Sequence, residues 1–527
     1  MQAIFTQCII LILAILFLVM LAQKFKVAYP IILVLGGLVL SLFSGSDGIT
    51  IDPELIFFIF LPPLLYEAAW NTSWKELWRW RRVISIFAFL IVIVTSLVIA
   101  VVSSSVIPGF TMALGFLLGG IVSPPDAVSA TSVLKYVNVP KRLSAIIEGE
   151  SLLNDASSLI VFKFALAAVA TGRFVFHEAA LNFVWVVAMG ILTGVLVGLV
   201  FYAIHRWLPT TTNIDIVLSL TAPYVMYIAA EAFHFSGVLS VVSGGLFLSA
   251  RSHLFLSFRS RLQGANVWST IGFVLNGLVF MLIGLALPSI VNQLGPVSLT
   301  DAIKYGIIIT LVLIITRILC TLGSSAFTVF ISRYIKTADS RPGWRGPLII
   351  GWAGMRGVVS LAAALSIPYL LPDKLTPFPQ RNLILFITFV VILVTLVVQG
   401  LTLPAVVRWV NMEDPDKLPP VEEQDIKLRK RLAEHALKFL NNQTAESLAT
   451  NTSLRQLKAR FENEKLEPDD LHNEKQEEWR KIYLEVLDKQ RDFLLELNKN
   501  PEMDEDVIKK YQSLLDLEEE KLRSRYE

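Results

Sequence analysis

Runs of about twenty mostly apolar residues recur through the first three quarters of the chain, and a run of that length crosses a bilayer as a helix. Thirteen such spans are predicted, at roughly 5–22, 27–43, 54–70, 83–106, 112–134, 144–170, 180–204, 213–232, 236–250, 268–289, 302–332, 347–372 and 382–410. Those at 54–70 and 236–250 are short. The first run has no basic segment before it, so it reads as a retained helix and not as a secretory signal. After residue 410 the pattern changes. Glu, Lys, Leu and Gln dominate, and stretches such as "SLRQLKARFENEKL" and "DVIKKYQSLLDLEEEKL" repeat apolar residues at helical spacing. The expected architecture is an all-α polytopic membrane domain over 1–410 and a charged, mostly helical tail over 411–527.

Charge sharpens this division. Only 17% of the 527 residues are charged, against about 25% in soluble proteins. Residues 1–410 hold 15 acidic and 25 basic residues, while 411–527 hold 29 and 21. Assigning alternate loops to one side collects 17 basic residues there: Lys24, Lys26, Lys75, Arg79, Arg81, Arg82, Lys135, Lys141, Arg142, Arg206, Arg251, Arg259, Arg261, Arg333, Lys336, Arg341 and Arg345. The other side collects four, namely Arg173, Lys304, Lys374 and Arg381. The positive-inside rule then puts the N-terminus outside and the tail in the cytoplasm, across a cell (plasma or inner) membrane. Cys8 and Cys320 fall in apolar segments and read as small buried hydrophobes. The membrane domain has no His/Cys cluster, Gly-rich phosphate loop or catalytic triad, and the tail has no nucleotide- or metal-binding signature. Enzymatic chemistry, a cofactor and nucleic-acid binding are therefore not expected.

Two spans are interrupted. The fifth reads "GGIVSPPDAVSATS", where Pro124 and Pro125 cannot donate backbone hydrogen bonds. The twelfth reads "GWAGMRGVVSLAAA", with Gly351, Gly354 and Gly357 around Arg356. Either break alone could simply ease helix packing. Together they lie an odd number of spans apart, so the two helices run in opposite directions. Broken helices at matching positions of inverted repeats point to a transporter's midplane site.

Charges within the spans point the same way. Glu67, Asp126, Glu148, Glu150, Asp155, Lys163, Glu231, Arg317 and Arg356 all fall inside them, and an ionised group at the bilayer centre costs at least ~2.5 kcal/mol even on lenient scales. In "IIEGESLLNDASSLIVFKF", Glu148, Ser151 and Asp155 line one helical face, with Glu150 and Asn154 on the adjacent one. Carboxylate, hydroxyl and carbonyl oxygens suit a hard cation. Lys163 and Glu231 lie close enough to helix ends to snorkel to the interface, and Glu148 is placed to line a funnel.

The motifs "FLPPLLYEAA" (60–69), "SPPDAVS" (123–129), "EGESLLNDA" (148–156) and "GMRGVVSLA" (354–362) occur in that order, and together they resemble the sodium/proton exchanger family. The resemblance is greatest to its bacterial NhaP-type branch, which carries the Asn-Asp pair. It covers the membrane domain and not the tail. It implies a homodimer, each subunit having a scaffold and a moving core with two crossed broken helices. Asp155 would alternate between a proton and a cation. Asn154 would brace the core, and Asp126, the Pro125 backbone, Ser151 and Glu67 would supply further oxygens to Na+. The family usually has Thr where this chain has Pro125, so only a backbone ligand is available there. Glu150 matches a family glutamate that pairs with an arginine, here Arg317, and Arg356 would compensate charge or helix ends at the second break.

A buried carboxylate is costly when empty and ionised, and either a proton or a cation relieves that cost. If only the occupied site crosses, exchange is obligatory. The resemblance therefore implies an antiporter of Na+ or Li+ against H+. Asn154 stands where electrogenic relatives have a second titrating aspartate, so exchange is expected to be electroneutral. K+/H+ antiport, a cation channel and a non-transporting sensor remain open as alternatives.

Overall fold

A computed structural model of the chain describes residues 2–43, 58–137, 139–172, 176–295, 297–334, 339, 343–371, 376–412, 421–443, 451–466, 474–497 and 505–526. Of the loop charges counted above, Arg173, Lys336, Arg341 and Lys374 lie outside these residues, as do the first positions of the 54–70 span. The chain divides into two units, Met1–Asp414 and Pro415–Glu527.

The regular secondary structure among the described residues of the first unit is helical, apart from one isolated bridge between Leu370 and Pro377. In order they form α1 (Gln2–Phe25), α2 (Tyr29–Phe43), α3 (Leu61–Asn71), α4 (Trp74–Val106), α5 (Met112–Val122), α6 (Ala127–Leu134), α7 (Lys141–Thr171) and α8 (Phe176–Trp207). There follow α9 (Thr212–Glu231), α10 (Gly237–Phe255), α11 (Phe258–Leu285), α12 (Leu287–Asn292), α13 (Leu299–Ile331), α14 (Arg345–Trp352), α15 (Val358–Leu365) and α16 (Arg381–Val410). Among the described residues nine helices are long and apolar enough to cross a membrane. Ile9–Phe25 and Tyr29–Ser41 are shorter apolar helices.

Caps explain where several helices begin. Ser73, Thr111, Thr211, Ser236, Ser257 and Ser298 each accept a backbone N–H from the first turn that follows. Two helices therefore start ahead of their apolar runs. α4 begins at Trp74 and not near 83, and α11 begins at Phe258 and not near 268. Hydrophobicity finds the part of a helix inside the bilayer and misses a polar first turn, which a hydroxyl cap initiates.

The first predicted break separates α5 from α6, and the second separates α14 from α15. Two further irregularities are π-helical turns, Ile86–Ile91 within α4 and Thr395–Gln399 within α16. A π turn disturbs the usual ladder of backbone bonds. At the first of them the Ser157 hydroxyl of α7 donates to the carbonyl of Ala88.

Buried apolar side chains form two clusters. The larger draws on α1, α2, α4–α7 and α11–α16, and the smaller on α3 and α8–α10 with Trp268 of α11. α7 belongs to both, since Ile146, Ile147, Phe162 and Ala165 pack into the larger, and Leu152 and Ala156 into the smaller. Small residues allow close approaches of backbones in the larger cluster. A Cβ at Gly115 or Gly119 of α5 would lie 2.7 Å or less from backbone atoms of Ala100 or Ser96 on α4, the small-residue seam by which membrane helices pack.

The second unit contains α17 (Val421–Gln443), α18 (Thr452–Leu466), α19 (Glu474–Leu497) and α20 (Glu505–Tyr526). Lys465 pairs with Glu434 between α17 and α18 at 3.4 Å. Arg491 of α19 donates to Asp516 of α20 at 2.9 Å. Buried residues are few, among them Leu487, Ile508 and Leu522.

Candidate functional site

The two broken helices meet. Asp126, at the first break, donates its backbone N–H to the Met355 carbonyl of the second at 2.7 Å. Gly357 lies so close that a Cβ there would sit 2.5 Å from Asp126 Oδ2. Any larger residue at 357 would have to push the crossing apart. The Asp126 carboxylate caps α6, accepting from the N–H groups of Val128 and Ser129 at 3.1 and 3.2 Å and from the Ser129 hydroxyl. The helix end thus offsets part of its negative charge.

α7 runs past this crossing and contributes three of the predicted side chains. Ser151 Oγ accepts from the Ala127 N–H at 3.2 Å. Asn154, fully buried, donates through Nδ2 to the Pro125 carbonyl at 3.2 Å, and its Oδ1 has no partner among the described residues. The Pro125 carbonyl is therefore already engaged on one lone pair. Asp155 is 8% exposed, and its neighbours on the helix, Asn154 and Ala156, are both at 0%. Among the described residues its carboxylate forms no hydrogen bond or ion pair, although Asp126 lies within electrostatic reach.

Glu150 is treated differently. Arg317 of α13 donates to both of its oxygens, at 2.8 and 3.0 Å, and the two residues are 1% and 3% exposed. This two-pronged geometry matches a planar guanidinium to a carboxylate. Arg356 has no acidic partner among its hydrogen bonds. It donates from Nε to the Val122 carbonyl at 2.9 Å, from Nη2 to that of Ser123 at 3.3 Å, and also to Gly354. It neutralises the carbonyl end of α5, while its own N–H is held by Thr395 of the π turn at 3.2 Å.

Glu67 of α3 is half-buried against α11, where a Cβ on Gly272 would collide with its carboxylate. Glu148 is half-buried one turn before Ser151. Several of the charges read from the chain have partners that the sequence did not show. Lys163 and Glu231, read as close enough to helix ends to snorkel, pair with each other, Lys163 Nζ meeting both Glu231 oxygens at 3.0 and 2.9 Å. Arg381 is not a free loop charge, since it is 6% exposed and donates to the carbonyls of Ile367 and Leu365 at 2.7 and 3.3 Å. Arg142, also counted as a loop charge, is buried and pairs with Asp339 at 2.8 Å.

Sequence reasoning missed Tyr29 of α2, which lies within electrostatic reach of both Asp126 and Glu67. It also missed Ser129 and Thr395. Ser129 stands three residues after Asp126, where a hydroxyl can share a capping carboxylate, whereas nothing in the local sequence marks Tyr29 or Thr395.

A carboxylate site where two broken helices cross inside a helical membrane bundle is the arrangement of secondary transporters. The chain belongs to the sodium/hydrogen exchanger family, whose transmembrane region matches residues 10–409. It is 35% identical over 386 residues to a protein of Bacillus pumilus named a sodium, potassium, lithium and rubidium/H+ antiporter, covering 71% of this chain and 57% of that one. It is 32% identical to the low-affinity Na+/H+ antiporter NhaS1 of Synechocystis, covering 78% and 75%. The fold resembles that of the sodium proton antiporter MjNhaP1 from Methanocaldococcus jannaschii, with a TM-score of 0.61 at 18% identity over 76% of this chain and 99% of that one.

Proposed function

We propose that the protein is a secondary antiporter exchanging one Na+ or Li+ for one H+ at Asp155. One observation carries this reading. Of the three carboxylates placed at the crossing and on the adjoining turns of α7, two have their charge offset by the fold and, among the described residues, one does not. Glu150 faces Arg317, Asp126 caps α6, and Asp155 has neither. A charge left uncompensated in such a site is costly, so a proton or a cation must supply what the protein does not. Ser151, the second lone pair of the Pro125 carbonyl, Asp126 and Glu67 supply further oxygens to the ion, and Asn154 and Arg356 hold the two breaks in register.

The charge asymmetry of the loops supports thirteen crossings with the N-terminus outside and the tail in the cytoplasm. The working unit is a homodimer in the cell membrane, serving sodium and pH homeostasis. A second reading, exchange of K+ as well, is favoured by the name of the Bacillus pumilus relative. Proteoliposomes carrying the purified protein, given an imposed pH gradient and then Na+, Li+ or K+, test both. Proton efflux is expected with Na+ and Li+. Equal efflux with K+ selects the broader reading, and none with any of the three overturns the proposal. The 1:1 ratio is tested by clamping the membrane voltage. Each net charge moved would contribute ~2.3 kcal/mol per 100 mV, so a reversal condition that shifts with voltage excludes electroneutral exchange.

A further inference from the structure

A cavity of about 600 Å³ opens between the 79–87 stretch of α4, the first turns of α7 and α14 and the last turns of α13. It is separate from the carboxylate site. Its walls are apolar, with Phe87 of α4, Ile146 of α7, Phe327 of α13 and Ile350 of α14 among them. Its charged lining is mainly basic: Arg79, Arg81, Arg82 and Arg142, the last of them paired with the single carboxylate, Asp339. The first turns of α7 and α14 both contribute, and neither has a side-chain cap, so their partial positive ends add to the arginines.

We propose that this cavity binds an anionic phospholipid, its phosphate held by the arginines and an acyl chain laid along the apolar wall. Position supports the choice of a lipid. Arg79, Arg81 and Arg82 immediately precede the apolar run of α4, and Arg142 is the second residue of α7, so the basic rim lies where the spans leave the hydrocarbon. The adjoining surface has the composition of a headgroup belt. Trp74 and Trp78 stack at 6.1 Å and are about half exposed, and the Arg81 guanidinium lies 4.5 Å from the Trp78 ring centroid. The volume lies within the range of pockets that enclose most of a small amphiphile. Guanidinium groups suit phosphate because their planar donors match its oxygens in pairs.

Such an occupant bears on the ion-site scaffold. Ile146 precedes Glu150 by one turn of α7, and Thr321, also in the lining, follows Arg317 by one turn of α13. A lipid wedged here joins the two helices that the Glu150–Arg317 pair already ties.

The test uses the delipidated full chain in detergent, titrated separately with dioctanoyl phosphatidylglycerol, dioctanoyl phosphatidylcholine and inorganic phosphate while thermal unfolding is followed. Phosphatidylglycerol is expected to raise Tm saturably, and the other two are not. Arg81→Gln together with Arg82→Gln should weaken the apparent affinity by roughly tenfold, because two charge-assisted hydrogen-bond donors to the phosphate are removed. Ser324→Trp, which fills the cavity without touching the arginines, should abolish the shift. Arg206→Gln, outside the cavity, should leave it intact. Equal stabilisation by phosphatidylcholine, or by phosphate alone, overturns the proposal, as does an unchanged response in both cavity variants. None of these readouts depends on ion transport.

Discussion

Removing one member of the Glu150–Arg317 pair should cost more than removing both. The pair is bidentate and nearly inaccessible, with side chains 1% and 4% exposed. Stranding one partner of such a pair costs roughly 3–5 kcal/mol. The two single variants should also differ. In Glu150→Ala the guanidinium of Arg317 stays charged and lies within electrostatic reach of Arg356, itself fully buried. An arginine cannot shed its proton in a protein, whereas a stranded glutamate can take one up. Glu150→Ala should therefore be the least stable, Arg317→Ala intermediate, and the double variant the best of the three. With about 2–4 °C per kcal/mol in domains of 150–250 residues, and less in larger ones, single-variant losses on the order of 5–10 °C are expected. Detergent-solubilised protein followed by tryptophan or thiol-dye fluorescence reads these shifts. The pairing argument fails if both singles melt with the wild type, or if the double variant loses the sum of the two.

Three further outcomes follow from the geometry. Asp155→Asn should abolish exchange in proteoliposomes while the protein still elutes and melts as wild type; persisting transport would reassign the exchanging carboxylate. Asn154→Ala leaves the Pro125 carbonyl without its donor, a loss of about 1–3 kcal/mol for a buried group; a lowered Tm with slowed transport is expected, and an unchanged Tm would mean the bond does not brace the break. Glu231→Gln removes an ion pair whose lysine side chain is 54% exposed, and at ~0–1 kcal/mol for exposed pairs it should leave Tm nearly unchanged. A large drop in Tm would show the pair to be structural instead.

Much of this could be read in the chain because membrane burial amplifies a few signals. The prolines at 124–125 and the glycines around Arg356 mark backbone that leaves the helix readily, and the structure interrupts the helices there. The spacing within α7 separated the Asp155 face from the Glu150 face. Partner choice was harder to read. Arg317 and Glu150 are 167 positions apart, and only the family resemblance joined them. Lys163 with Glu231 and Arg142 with Asp339 carried no such clue, because which charges meet depends on how helices distant in sequence pack. Helix starts were displaced for a different reason: a capped polar turn outside the bilayer leaves no trace in hydropathy.

The location of Asp155 adds something that its charge alone does not. Its helical neighbours Leu152 and Ala156 pack into the smaller apolar cluster, while residues further along the same helix pack into the larger. The carboxylate thus sits on the helix that both clusters share, beside half-buried Glu148 and Ser151 on the turns toward the start of α7 and fully buried Ser157 and Ser158 on the turns beyond. Close-packed clusters slide or rotate as units more readily than they deform. If the exchange proposed above requires Asp155 to face both ends in turn, a shift of the smaller cluster past α7 would leave the Glu150–Arg317 and Asp126–α6 contacts intact, because each joins residues on helices that contribute to the larger cluster.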